Sequence, residues 1–90
     1  MKTFKKLEVG DKIFVHFGAT FIRYIDYKNG YLILFVSRSK EVKKHQCTRF
    51  HVSNNHLNAN KVQVCNMMIH LTKEGYKKYM NQFIKSQIEL

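Results

Sequence analysis

The chain has 90 residues, 44% of them hydrophobic, with sixteen Lys and Arg against six Asp and Glu, a formal net charge of +10. That length suits one small domain, residues 1–90, and the charge repels itself unless a polyanion offsets it. The longest apolar run, residues 31–36, is far short of the ~20 residues of a spanning helix, which excludes a helical membrane anchor.

The opening segment carries Lys2, Lys5 and Lys6 without the apolar stretch of a secretory signal, so the expected location is the cytoplasm. Leu7-Glu8-Val9-Gly10-Asp11 reads as a short strand and tight turn, because Gly accepts positive φ and Asp bonds nearby backbone. Residues 12–17 alternate Ile13, Val15 and Phe17 against Lys12, Phe14 and His16, the period of a half-buried strand. Gly18-Ala19-Thr20 breaks it. Residues 21–28 resume with aromatic and β-branched side chains and meet Asn29-Gly30, the dipeptide best suited to a two-residue type I′ turn.

A two-residue turn sets the register of the hairpin. Tyr27 falls opposite Leu32, Ile25 opposite Leu34 and Arg23 opposite Val36; on the other face Asp26 meets Ile33 and Tyr24 meets Phe35. Both faces are then apolar, as expected of a central strand with one face on the core and the other beneath a helix. The alternative is an exposed platform, in which Tyr24, Tyr31 and Phe35, flanked by Lys28 and Arg23, stack unpaired bases.

Residues 37–46 contain Arg38, Lys40, Lys43, Lys44 and His45 with one acid, Glu41, and read as a solvated loop or projecting hairpin. Residues 47–52 alternate Thr48, Phe50 and Val52 against Cys47, Arg49 and His51, and residues 53–60 form an Asn-rich turn. Residues 61–71 read as one strand whose apolar phase slips from Val62 and Val64 to Cys65, Met67, Ile69 and Leu71, the signature of a bulge or sharp bend. The last helix is capped by Thr72 and runs to Gln87. Tyr76, Tyr79, Met80, Phe83, Ile84 and Ile88 make its apolar stripe, with Lys73, Lys77, Lys78, Asn81, Gln82 and Lys85 outside.

Residues 6–15, Lys-Leu-Glu-Val-Gly-Asp-Lys-Ile-Phe-Val, resemble the opening of many small SH3-like and OB-like barrels. The resemblance implies a fold class and transfers no functional residue. The expected architecture is α+β: a small, strongly bent antiparallel sheet or SH3/OB-like barrel of four or five strands, with a C-terminal amphipathic helix packed on it or closing it.

Site chemistry is sparse. The six acids are dispersed, no nucleophile elbow occurs, and four isolated glycines make no phosphate loop, so no catalytic residue and no cofactor are expected. His45, Cys47, His51, His56, Cys65 and His70 crowd one segment, but no Cys-x-x-Cys is present. Cys47 and His51 on one strand stand about 13 Å apart, too far to share an ion, which leaves no metal site expected. The two cysteines are expected as reduced thiols. Abundant Lys, Asn and Ile without Pro or Trp is the bias of an AT-rich coding sequence, common in bacteriophages.

The basic residues carry the main signal. Three clusters, residues 2–6, 38–44 and 73–85, point to nucleic acid, DNA or RNA, held mostly through phosphates and largely independent of sequence. The candidate contacts are Arg38, Lys40, Lys43, Lys44, Arg49, Lys73, Lys77 and Lys78, with Tyr24 and Phe35 for stacking and Arg23, Arg38 and Arg49 for base edges. A different class of function is a small, phage-type interaction module whose basic surface docks on an acidic protein, such as a nucleic-acid enzyme or virion component.

Overall fold

The structure, a computed structural model, describes residues 2–16, 18–64 and 66–88, with side chains described as far as residue 82. Six strands form one antiparallel sheet: β1 (Lys12–Val15), β2 (Gly18–Lys28), β3 (Tyr31–Ser37), β4 (Thr48–Ser53), β5 (Lys61–Val64) and β6 (Met67–His70). Helix α1 (Lys73–Ile88) follows. The ladder order is β4-β3-β2-β1-β6-β5, which confirms the α+β class with an antiparallel sheet and corrects the strand count to six rather than four or five. Among the described residues no ladder joins β4 to β5, so the sheet is the alternative seen and closure into a barrel is not.

The β2–β3 hairpin forms as its turn dictates. Asn29 has φ 54° and Gly30 φ 79°, the two positive values that a type I′ turn requires. The register follows: Lys28 opposes Tyr31, Tyr27 Leu32, Asp26 Ile33, Ile25 Leu34 and Tyr24 Phe35. Beyond Tyr24 the expectation fails, because a bulge leaves Arg23 unpaired and sets Ile22 opposite Val36. The bulge turns Ile22 into the core, where its side chain is fully buried.

The extra strand comes from residues 61–71, which are a second hairpin rather than one bent strand. Val64 pairs with Met67 and Val62 with Ile69, which leaves two residues in the turn. Across a two-residue turn even positions face odd ones, so a reversal produces the same phase slip as a bulge. Cys65, part of that expected slip, lies outside the described residues, as does Phe17. Gly18-Ala19-Thr20, expected as a break, begins β2, and Gly18 at φ 111° supplies the reversal.

Residues 7–11 form no strand. The chain makes a 3-10 turn at Phe4–Lys6, and Gly10, at φ 97°, closes the next turn with its amide 2.7 Å from the Ile22 carbonyl. Asp11 is fixed there, accepting from the Glu8 amide at 2.8 Å and pairing with Lys2 at 2.8 Å. Burial alone would raise the pKa of Asp11, but the Lys2 ammonium and the Glu8 amide outweigh it and hold the carboxyl below its ordinary value.

One core takes a residue from every strand: Ile13, Val15, Ile22, Leu34, Val36, Phe50, Val52, Val62 and Ile69, closed by Phe4, Leu7 and Leu71. Phe4 is anchored over it by backbone bonds from Phe4 and Lys5 to the carbonyls of Ala59 and Leu57. On the opposite face of β1, Phe14 lies across from His70 of β6. Helix α1 covers that pair: the Tyr76 ring is 5.4 Å from Phe14 and 6.3 Å from His70, and Tyr79 is 5.2 Å from His70. Thr72 caps the helix, its hydroxyl accepting from the Gly75 amide at 3.1 Å. Phe83, Ile84, Lys85 and Ile88, expected on the helix stripe and its rim, lie where side chains are not described. Among the described residues no helix is long and apolar enough to cross a membrane.

Candidate nucleic-acid interface

The helix packs on β1 and β6, so the expectation that it covers β3 is corrected. The outer face of β2, β3 and β4 is therefore free of it. The ladders set three rows across that face: Tyr24, Phe35 and Arg49; Asp26, Ile33 and His51; Lys28, Tyr31 and Ser53. Period-two alternation produces these rows, since the intervening Ile25, Leu32, Leu34, Phe50 and Val52 point to the core.

The rings differ in access. Phe35 is only 6% exposed, whereas Tyr24 is 36% and Tyr31 45% exposed. The segment after β3 folds back and causes the difference: the Tyr24 hydroxyl donates to the Val42 carbonyl at 3.0 Å, and the Tyr24 ring meets Phe35 edge-on at 6.3 Å. The ammonium of Lys44 stands 4.9 Å from the Phe35 ring centre and also pairs with Asp26. A 3-10 turn at Lys44–Gln46 positions it, held by the Lys43 amide donating to the Gln46 side chain at 3.0 Å.

Between this segment and the sheet runs an open groove of about 590 Å³, with Ile33 and Phe35 on its floor. Lys28, Lys44, His45 and Arg49 line it, and Asp26 is the only acid among the described residues that do so. A second hollow of about 350 Å³, lined chiefly by Phe50, Val64 and Met67, has Arg49 as its one Lys or Arg.

Of the candidate contacts, Lys44, Arg49 and Phe35 meet in the groove, with Tyr24 stacked beside them. Lys40 and Lys43 are exposed on the adjoining segment. Arg38 bonds through Nε to the Ala19 carbonyl at 3.1 Å, and Arg23 donates to the carbonyls of Ser37 and Arg38. Both guanidiniums thus serve the backbone, leaving Arg49 as the groove's arginine. Lys73, Lys77 and Lys78 are exposed on α1, over other strands. Of the three basic clusters, 2–6, 38–44 and 73–85, only the second supplies a groove-lining residue among the described residues, Lys44, with Arg49 beyond it.

Ile33, His45 and His51 were not singled out as contacts from the sequence, and Lys28 only as a flank of the stacking platform. The signal for two of them is nevertheless there, because the Asn29-Gly30 turn pairs Lys28 with Tyr31 and the alternation of 47–52 places His51 beside Arg49. His45 and Cys47, two of the residues in the His- and Cys-rich segment, both line the groove. No group of three or more His, Cys, Asp or Glu is arranged to hold a metal ion among the described residues. Cys47 is a free thiol, 3.6 Å from the Lys43 carbonyl. Comparison with known protein-family models, curated proteins and solved structures finds no match to this chain.

Proposed function

We propose that the chain is a non-catalytic nucleic-acid-binding protein that holds phosphates on the outer face of β2, β3 and β4, with mostly sequence-independent affinity. One observation carries this: a groove lined by Lys28, Lys44, His45 and Arg49 around an apolar floor, with one acid, on a chain of net charge +10. Fixed cations around a concave, low-dielectric surface concentrate a polyanion there. The contacts are point charges on backbone phosphates, so discrimination between base sequences is weak. A free Cys47 thiol is in keeping with work in the reducing cytoplasm.

The test is fluorescence polarisation with labelled oligonucleotides from about 50 to 200 mM salt, the range over which phosphate contacts weaken steeply. Three or four phosphate contacts give a log–log slope of about −2 to −4. Replacing Lys44 and Arg49 by Ala should lower its magnitude by about one for each contact removed. Absence of binding at the lowest salt contradicts the proposal and directs the same basic face to an acidic protein partner, recognised by few residues and far less by salt.

A further inference from the structure

Building on that nucleic-acid reading of the same face, we infer that the bound strand is unpaired and that its bases stack on the ring pair formed by Tyr31 and His51. These two are diagonal neighbours on the outer face, since Tyr31 pairs with Ser53 and Ile33 with His51. Their ring centres lie 6.3 Å apart at 73°. Tyr31 is 45% exposed and His51 is exposed as well, with no helix over them.

The other rings on this side of the sheet are already engaged by the protein itself: Tyr24 donates its hydroxyl to the Val42 carbonyl and meets Phe35 edge-on. Phe21 has Lys12 at 5.7 Å and Arg23 at 5.0 Å from its centre, and Phe35 has Lys44. Tyr31 and His51 are the pair left open. An exposed aromatic pair with Lys28 opposite Tyr31 and Arg49 two residues from His51 on the same strand suits a ligand that joins flat apolar faces to negative charge. Unpaired nucleotides have both; a duplex keeps its base faces inside its own stack and would leave the rings in water.

Lys28 lies opposite Tyr31 and Arg49 opposite Phe35, so a cation accompanies each ring row. Asp26 opposes entry, because it holds the Lys44 ammonium that a phosphate would take.

The experiment compares one labelled DNA strand with its own duplex by fluorescence polarisation at low salt, for the unaltered chain and three variants. The single strand should bind at least about tenfold tighter than the duplex, the scale of one stacked base. Tyr31→Ala should weaken single-strand binding about 5- to 100-fold without changing the salt slope or duplex binding, while Tyr31→Phe retains it. Asp26→Asn should tighten single-strand binding about two- to fivefold, the scale of one exposed ion pair. Tyr31 is outside the core, so a thermal melt should confirm that its variants fold. Equal or tighter duplex binding that ignores Tyr31→Ala overturns this inference and leaves phosphate binding standing. No binding of either form overturns both.

Discussion

His70 is the residue at which burial and chemistry conflict. It is 4% exposed, enclosed by Phe14, Tyr76 and Tyr79, and its Nε2 has no hydrogen-bond partner. Burial first, and the charge of Lys61 second, lower its pKa below the ordinary value of 6.5. Such a group binds its proton more readily in the unfolded chain. Its contribution to stability is therefore constant above about pH 6.5 and falls as pH drops from there toward the depressed native value. His70→Phe should remove that part of the pH dependence and cost nothing at pH 8, since an orphaned polar atom is deleted; urea titrations of both chains at pH 5 and pH 8 check this. Gly75 gives a second residue-scale prediction. Gly→Ala within a helix is ordinarily favourable, but here a new Cβ would sit 2.9 Å from the Thr72 hydroxyl and 3.4 Å from His70 Nδ1. Gly75→Ala should displace the cap and destabilise by about 1 kcal/mol, read from the same titrations.

At the scale of elements, two neighbours on β3 report the two faces of the sheet. Leu34 is fully buried in the core, whereas Ile33 is half-buried on the groove floor. Leu34→Ala should cost about 2–5 kcal/mol of unfolding free energy and Ile33→Ala less than about 1.5 kcal/mol, with the order reversed if the faces are misassigned. This hairpin was legible because Asn29-Gly30 admits one turn type, and that turn fixes every partner as far as Tyr24. The bulge at Arg23 was not, since nothing local demands it; the demand comes from Ile22 meeting the core. Likewise the phase slip in residues 61–71 is common to a bend and a reversal, and tertiary pairing of β6 with β1 decides for the reversal. The helix stripe was legible by its period, but not its seat: Tyr76 and Tyr79 select Phe14 and His70, residues distant in sequence. The groove was half legible, as the rings and cations were visible while the fold-back that covers Phe35 depends on one Tyr24 hydroxyl bond and one lysine.

The whole molecule carries its charge nearly uncompensated. Two ion pairs are seen among the described residues, Lys2 with Asp11 and Lys44 with Asp26, both partly exposed and worth no more than about 1 kcal/mol each. A net charge of +10 on so small a body leaves substantial self-repulsion. Raising sodium chloride from about 10 to 200 mM shrinks the screening length below the size of the domain and should raise Tm by several degrees. An unchanged Tm would mean that the cations are too far apart to repel. The basic residues are also distributed: Lys44 and Arg49 line the groove, Lys73, Lys77 and Lys78 ride on α1, and Lys5 and Lys6 sit in the first 3-10 turn. Diffuse charge of that kind draws a polyanion toward the molecule without choosing a surface.

On the proposed reading, the combination of rings and cations on β2, β3 and β4 chooses the surface, and chemical-shift mapping tests this directly. A short single-stranded oligonucleotide titrated into isotope-labelled protein should move the amide signals of Tyr24, Lys28, Tyr31, Ile33, Arg49 and His51, and leave those of Lys73, Lys77 and Lys78 in place. Shifts concentrated on α1, or spread evenly over every exposed lysine, would contradict a binding site on the outer face of the sheet.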